Sequence, residues 1–180
     1  MEKHENVEYV MLSEEQIVAR TKELAVQLDK LYEGRTPVVI CVLKGSVLFF
    51  SELIRNMKTT LTIDFMSVSS YGSGTMSTGE LKVKQDLSTD IKGRDVLIVE
   101  DIIDSGNTLY HLKKMLHQRA PASVNIVTLL DKPARRVMDI NADYTCFEIE
   151  DEFVIGYGLD YAEKYRDLPY VGILSRSVYE

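Results

Sequence analysis

The sequence is poor in several residue types that would define other protein classes. It contains no tryptophan, four prolines and two cysteines, Cys41 and Cys146, and no apolar run approaches the roughly 20 residues that cross a bilayer. Two cysteines cannot form a disulfide scaffold, and both lie in apolar stretches, so we expect buried, reduced thiols. The charged N-terminus lacks the apolar centre of a signal peptide. We therefore expect one cytoplasmic domain that is not associated with a membrane.

The sequence also contains fewer basic than acidic residues. The 180 residues include 21 Lys+Arg against 28 Asp+Glu, which gives a net charge of −7. This balance argues against broad nucleic-acid binding, which needs a basic face. It leaves room for a local cationic pocket that binds a phosphorylated substrate.

Apolar periodicity predicts alternating strands and helices. A capping box at Ser13–Gln16 begins a helix that stops near Gly34. Further helices are expected at 47–57, at 108–119 and near Pro133, and strands at 38–43, 61–69, 80–86, 96–99, 124–130, 144–149 and 170–174. This order predicts an α/β fold with a mostly parallel sheet flanked by helices. Ligands then bind beyond the carboxyl ends of the strands, after Leu43, Val99 and Leu130.

The most informative segment is VLIVEDIIDSGNTL at 96–109. A glycine-containing turn that enters a helix offers backbone N–H groups to a phosphate, and Ser105 and Thr108 add hydroxyl donors. The nearby acids would repel a bare phosphate, but they suit sugar hydroxyls or a cation that the substrate carries. A ligand with a ribose, a phosphate and magnesium satisfies every part. The alternative is an ordinary helix with Asp104 or Ser105 as its N-cap and solvated acids.

This segment closely resembles the phosphoribosyl-pyrophosphate motif of type I phosphoribosyltransferases, in the form found in the 6-oxopurine (hypoxanthine-guanine) branch. Other segments resemble the same family in the same order. They are the pyrophosphate loop at 43–46, in which the Leu–Lys peptide is often cis, the mobile loop at 70–79, the purine-recognition segment at 131–133 and the C-terminal signature at 153–168. The resemblance covers roughly residues 37–174.

The resemblance implies an activity, a fold and an assembly. The activity is purine salvage, a magnesium-dependent transfer of the 5-phosphoribosyl group to N9 of hypoxanthine or guanine, which gives IMP or GMP plus pyrophosphate. The fold has a core at about 37–150 and a small hood built from about 1–12 and 151–180. The chain would bind small molecules rather than nucleic acid or membrane, and would form a homodimer or homotetramer.

The resemblance also assigns roles to individual residues. The phosphoribosyl group would be bound by Glu100, Asp101, Asp104, Ser105, Gly106, Asn107 and Thr108, with Asp104 as the catalytic acid or base near purine N7. Magnesium would be held by Glu100, Asp101 and Asp160. Pyrophosphate would be bound by Lys44, Gly45, Ser70, Tyr71 and Arg166. The purine would be bound by Lys132, Phe153, Val154 and Asp160, with Lys132 donating to the 6-oxo group and Phe153 stacking on the ring.

Two alternatives stay open at this point. An RNA-binding regulator of a pyrimidine operon shares the fold, but it would need a basic face that this acidic sequence does not offer. A phosphoribosyltransferase for another base is disfavoured by Lys132 and by the Phe153–Val154 pair. Taken singly, each residue also has an ordinary structural interpretation, so the argument depends on the segments occurring together.

Overall fold

The computed structural model describes residues 3–70 and 81–179, which form two sheets and three α-helices. The helices are α1 (Glu14–Leu31), α2 (Val47–Asn56) and α3 (Asn107–His117). The strands are β1 (Val7–Leu12), β2 (Val38–Leu43), β3 (Thr62–Ser70), β4 (Leu81–Gln85), β5 (Asp95–Ile103), β6 (Ser123–Asp131), β7 (Tyr144–Glu148), β8 (Val154–Ile155) and β9 (Val171–Leu174). Short 3₁₀ turns lie at Pro133–Arg135 and Arg176–Val178.

The larger sheet has the strand order β4-β3-β2-β5-β6-β7 and is parallel except for β4. The central strand β2 is apolar at every position because both of its faces are covered. On β2, Val39 and Cys41 pack in the core that includes α1 and α2, whereas Val38, Ile40 and Val42 pack in the core that includes α3. Burial on both faces therefore explains the uninterrupted apolar run.

The strand predicted at 96–99 was too short. β5 continues to Ile103, because β6 runs beside it and pairs Ile102 with Leu130 and Ile103 with Asp131. Glu100 and Asp101 therefore lie within the strand rather than after it. The acidic pair interrupts the apolar pattern, and the pattern alone could not show that the ladder continues.

The smaller sheet is antiparallel, in the order β1-β9-β8, and joins the two ends of the described chain. β1 was missed by the periodicity, because most of its VEYVML residues are exposed or half-buried. The division into a core and a terminal hood remains a prediction. Among the described residues, no helix is both long and apolar enough to cross a membrane.

Both cysteines are buried and free, as predicted. Burial raises the pKa of Cys41 to about 11 and that of Cys146 to about 12. Both are therefore protonated, structural thiols near neutral pH.

Candidate active site

Glu100 and Asp101 bring two adjacent carboxylates to the carboxyl end of β5. Glu100 is buried, and its Oε2 has no hydrogen-bond partner among the described residues. Asp101 is half-buried and accepts a 2.8 Å hydrogen bond from the backbone N–H of Ile102. Because a buried polar atom without a partner is costly, this pair is suited to an incoming cation or hydroxyl group.

Both carboxyls resist ionisation. Burial, and then the neighbouring Asp101 charge, raise the pKa of Glu100 well above its ordinary value. Burial raises the pKa of Asp101 to about 6, although backbone hydrogen bonds and the Arg166 charge oppose the rise. Two acids pushed in the same direction in one cleft are typical of a functional site.

The turn that follows β5 leads directly into α3. Gly106 is the N-cap residue, with φ +80°, a left-handed conformation that glycine adopts without strain. Neither Asp104 nor Ser105 is the N-cap, so the alternative of an ordinary side-chain-capped helix is wrong. The closest substitute is a long 3.4 Å contact from the Asn107 N–H to Ser105 Oγ. The start of the helix therefore remains available for an anion.

The turn and the acidic pair line one cavity of about 220 Å³. Its lining consists of the ten residues Glu100, Asp101, Ile102, Ile103, Asp104, Ser105, Gly106, Asn107, Thr108 and Leu109. All of the residues predicted to bind the phosphoribosyl group are thus brought together. A single chain segment lines the cavity with both the carboxylates and the start of a helix.

Arg136 holds the backbone of the turn between β5 and α3 in place through hydrogen bonds. The sequence analysis did not predict this role. Its Nε donates to the Asp104 carbonyl oxygen at 3.1 Å, and its Nη2 pairs with Asp131. The Ser105 carbonyl oxygen accepts from the backbone N–H groups of Val137 at 2.9 Å and Met138 at 3.1 Å. These contacts fix the backbone of the turn, which leaves its N–H groups to serve a ligand.

A second cavity, of about 410 Å³, adjoins the first, and both are lined by Ile102 and Asp104. The other lining residues come from the 132–135 segment and from the C-terminal part of the chain; they are Lys132, Arg135, Asp151, Glu152, Phe153, Val154, Leu159, Asp160, Arg176 and Tyr179. The four predicted purine-binding residues therefore line the same cavity, which Asp104 also lines.

Lys132 is almost completely buried, at 7% exposure. Its Nζ donates to the Glu152 carbonyl oxygen at 2.8 Å and lies 3.7 Å from Asp151 Oδ1. A surface lysine would not be held in this way. The ammonium group is fixed in the cavity wall and keeps further donor capacity for a ligand.

Arg135 is a second cation of this cavity, and sequence reasoning also missed it. Its Nε lies 3.1 Å from Asp104 Oδ1 without the alignment of a hydrogen bond, and its Nη1 lies 3.6 Å from Asp151. In this structure the predicted catalytic carboxylate is therefore paired with a guanidinium group. The two consecutive arginines shortly after Pro133 could have indicated a cation near the site. Their partners, however, are set by the 3₁₀ turn and not by any sequence motif.

Phe153 and Val154 differ in exposure. The Phe153 ring is 40% exposed, whereas Val154 is buried and pairs with Ile173 in the smaller sheet. The Phe153 carbonyl oxygen accepts a 2.9 Å hydrogen bond from the Leu174 N–H. β9 therefore fixes the backbone beneath an aromatic ring that stays accessible from the cavity.

The loop after β2 approaches the acidic pair very closely. The Leu43–Lys44 peptide is cis. Any side chain at Gly45 would collide with the Asp101 carboxylate, and any side chain at Gly158 would collide with the Gly45 carbonyl oxygen. Glycine at both positions lets three segments, the β2 loop, the end of β5 and the C-terminal region, meet at van der Waals distance.

Arg166 and Asp160 form a charged group beside this junction. Arg166 Nη2 lies 2.8 Å from Asp160 Oδ1, and its Nη1 donates to the Gly158 carbonyl oxygen at 2.7 Å. Asp160 Oδ2 also accepts from the Glu163 N–H at 2.9 Å. Lys44 Nζ lies 2.8 Å from Glu163 Oε2, and the hydrogen bond from Lys44 lowers the pKa of Glu163. Arg166 Nη2 also lies 3.6 Å from Glu163 Oε1, so the predicted pyrophosphate-binding cations Lys44 and Arg166 are linked through one glutamate.

The described residues contain no group of three His, Cys, Asp or Glu side chains arranged to hold a metal ion. The unpartnered Oε2 of Glu100 and the adjacent Asp101 nevertheless fit a divalent cation. Magnesium binds to proteins through one or two carboxylates and takes its remaining ligands from water and substrate phosphates. Asp160 fits less well, because Arg166 and the Glu163 N–H already occupy both of its oxygens.

The predicted mobile loop lies largely outside the described residues. Ser70 is the last residue of β3, and Tyr71 and the remainder of the loop through Gly79 lie outside the described ranges. Their assignment to the pyrophosphate stays a prediction.

The chain is similar to known proteins over almost its whole length. The family model described as a phosphoribosyl transferase domain matches residues 11–162. The hypoxanthine-guanine phosphoribosyltransferase of Streptococcus thermophilus is 52% identical over 97% of each chain. That of Bacillus subtilis is 52% identical over 100% of this chain and 99% of its own. A hypoxanthine phosphoribosyltransferase structure from Staphylococcus aureus superposes with a TM-score of 0.95 at 51% identity, covering 98% of this chain and 96% of its own.

The chain therefore belongs to the phosphoribosyltransferase family, within its hypoxanthine-guanine branch. The predicted α/β fold with a central sheet flanked by helices is confirmed by the same comparisons. The roles of individual residues remain predictions.

Proposed function

We propose that this chain transfers the 5-phosphoribosyl group from phosphoribosyl pyrophosphate to N9 of hypoxanthine or guanine, which yields IMP or GMP and pyrophosphate. The observation that carries the proposal is the position of Asp104 between two cavities. One cavity combines carboxylates with helix N–H groups, and the other combines an aromatic ring with a buried lysine. The new bond would form between a ribose in the first cavity and a base in the second.

The phosphoribosyl donor suits the first cavity. Its 5′-phosphate would accept hydrogen bonds from the backbone N–H groups and the hydroxyls of the Ser105–Thr108 turn, with the positive end of α3 adding to the attraction. Its ribose hydroxyls would donate to Glu100 and Asp101, which would give the unpartnered Glu100 oxygen a partner. The 5′-phosphate would then lie at the turn, and the ribose hydroxyls would lie at the carboxylates.

Magnesium would be held by Glu100 and Asp101, with Asp160 adjacent to it. When bound, the ion neutralises charge on the pyrophosphate leaving group. Lys44, the Gly45 backbone and Arg166 would bind the same group, together with Ser70 and Tyr71. For Asp160 to serve the metal, Arg166 would exchange its carboxylate partner for the pyrophosphate.

Asp104 would handle the purine proton. The bond at the anomeric carbon breaks with oxocarbenium character, as in glycoside hydrolysis. As N9 attacks, the proton on N7 must leave, and a carboxylate at the boundary of the two cavities can accept it. Arg135 would have to move away from Asp104 Oδ1 before that oxygen could accept the proton.

Lys132 would select the base. Its fixed ammonium group can donate to a 6-oxo group, but it cannot accept from the 6-amino group of adenine. Phe153 would stack on the purine ring, and the Val154 backbone would contact its exocyclic edge. A lysine that is held in place discriminates better than a mobile one, because it cannot move away from the wrong base.

We further propose that the protein is cytoplasmic and assembles as a homodimer or homotetramer. Several large apolar side chains are exposed in the described chain, including Val26, Val47, Leu48 and Ile63. Light scattering coupled to size exclusion measures the assembly directly, and a monomer at micromolar concentration would contradict this part of the proposal.

The function is tested by mixing the protein with magnesium, phosphoribosyl pyrophosphate and each base in turn, and by measuring the nucleotide formed. We expect turnover with hypoxanthine or guanine and little with adenine, orotate or uracil. Each reaction is repeated with EDTA, which we expect to abolish turnover. Absence of turnover with both 6-oxopurines would refute the proposal, and tight binding of a leader RNA without turnover would support the regulator instead.

A further inference from the structure

Two tyrosines that contact the Phe153 ring, Tyr179 and Tyr161, have no role in the proposed function. The rings of Tyr179 and Phe153 are stacked, with a centroid distance of 5.1 Å and an interplanar angle of 23°. Tyr161 meets Phe153 edge-on at 5.7 Å and 83°. Phe153 and Tyr179 both line the cavity, and they are 40% and 37% exposed. Two large aromatic rings exposed in a cavity are costly to leave in water unless they serve a ligand.

A phenylalanine ring has only two faces for stacking. The Tyr179 ring is stacked on one of them, and Phe153 keeps 40% of its surface exposed in the cavity for a flat ligand. Tyr161 lies against the ring at nearly a right angle, so it further restricts rotation of Phe153. The exposed face of Phe153 therefore has a defined plane before any base arrives.

The backbone supports the same arrangement. Leu174, at the end of β9, donates from its N–H to the Phe153 carbonyl oxygen. The chain then turns through Arg176–Val178, where the N–H of Val178 donates to Ser175 at 3.0 Å and that of Tyr179 donates to Arg176 at 3.1 Å. One short segment thus fixes the Phe153 main chain and also delivers the ring that covers its side chain.

We propose that Tyr179 is a positioning residue for the purine, which acts by holding the Phe153 ring in the plane on which the base stacks. This inference rests on the proposed function. Without Tyr179, Phe153 would sample more rotamers, and binding of the base would have to restrict them. The base would therefore bind more weakly, whereas the donor site and the chemical step would keep their geometry.

The test compares steady-state kinetics of the wild type, Tyr179→Ala and Tyr179→Phe. For Tyr179→Ala we expect KM for hypoxanthine and guanine to rise about three- to tenfold, which is the range of one aromatic stacking contact. KM for phosphoribosyl pyrophosphate and kcat should change less than about twofold. Tyr179→Phe keeps the ring and should restore the wild-type KM. The control is Tyr9→Ala, which removes an exposed tyrosine of β1. Tyr9 does not line this cavity, so the substitution should leave both KM values and kcat unchanged.

Each other outcome contradicts the inference. A fall in purine KM for Tyr179→Ala would mean that Tyr179 blocks the base-stacking face, and an unchanged KM would mean that its stacking is only structural. Equal increases in both KM values, with a lower melting temperature, would indicate general loosening of the fold. If the wild type turns over neither purine, the proposed function itself fails, which this experiment distinguishes from failure of the Tyr179 inference.

Discussion

Two strands on either side of β2 carry carboxylates in opposite surroundings. Asp64 lies near the amino end of β3, and Glu100 and Asp101 lie near the carboxyl end of β5. Asp64 accepts from the N–H groups of Phe65, Ser88 and Thr89 and from the Ser88 hydroxyl, at 2.7 to 3.2 Å. Glu100 has a buried oxygen that finds no hydrogen-bond partner within residues 3–70 and 81–179. All three acids are at least half-buried, but only Asp64 has a full set of donors.

The pKa directions follow from these partners. For Asp64 burial opposes ionisation, but the hydrogen bonds from Thr89, Phe65 and Ser88 outweigh it, so its pKa is lowered. For Glu100 and Asp101 burial prevails, so both pKa values are raised. On β3, hydrogen bonds make the Asp64 carboxylate part of what stabilises the fold. On β5, the folded protein does not stabilise the charges of Glu100 and Asp101, but a ligand can.

The largest expected effect is on catalysis. We predict that Asp104→Asn lowers kcat by at least about 100-fold, the lower range of general acid–base catalysis, and leaves the melting temperature nearly unchanged. The matched control is Asp86→Asn, which removes an exposed carboxylate paired with Arg119. Steady-state kinetics and calorimetry measure both quantities. An unchanged kcat would remove Asp104 from the chemistry.

The next effect is on stability and concerns Asp64 in β3. Asp64→Asn places an amide opposite several N–H donors, so we expect a loss of about 1–3 kcal/mol at pH 7. The pKa of Asp64 is depressed by folding, so its contribution is present above the unfolded pKa and disappears as pH falls through the folded value. Thermal unfolding from pH 7 down to pH 2.5 measures the difference, which should shrink with acidity. A variant as stable as the wild type would show that this hydrogen-bonded cluster is not stabilising.

Asp101→Asn should act in the opposite direction. The folded-state pKa of Asp101 is raised from 3.8 to about 6, so wild-type stability decreases as pH rises between these values. Removing the charge should raise the melting temperature of the ligand-free protein by roughly 2–6 °C at pH 8 and by little below pH 4. Scanning calorimetry at both pH values measures this. A destabilised variant at pH 8 would contradict the comparison.

The smallest effect concerns the exposed pair of Lys44 and Glu163. Both side chains are 66% exposed, and exposed ion pairs contribute little to stability. Glu163→Gln should leave the melting temperature unchanged within error. Because it frees Lys44, the affinity for pyrophosphate should stay the same or increase, which calorimetric titration measures. A clear loss of stability would show that this link between the β2 loop and the C-terminal region is structural.

From the sequence, the ligand-binding segment after β5 could be predicted well, whereas the side-chain contacts that hold this segment and the purine-binding ring in place could not. The segment at 96–109 carries its chemistry in consecutive residues, so a turn, a helix start and an acidic pair could all be inferred locally. Arg136, Arg135 and Tyr179 act through partners that are distant in sequence or set by tertiary structure. No periodicity or motif specifies those partners.

The same distinction applies to the strands. Burial on both faces made β2 easy to predict, because all six of its residues are apolar. The last residues of β5 and the whole of β1 were harder to predict, since their pairing depends on a neighbouring strand and not on their own pattern. The packing of Gly45 against Asp101 and Gly158 likewise becomes visible only when three separate segments are in place.

The central claim is that Glu100 and Asp101 are unstabilised in the free protein because they serve the phosphoribosyl donor and its cation. The most direct test measures the melting temperatures of the wild type and Asp101→Asn at pH 8, each with and without magnesium and phosphoribosyl pyrophosphate. We predict that the variant melts higher without ligand and that the ligands stabilise the wild type much more than the variant. If the ligands stabilise both proteins equally, Asp101 does not serve the donor and the claim is wrong.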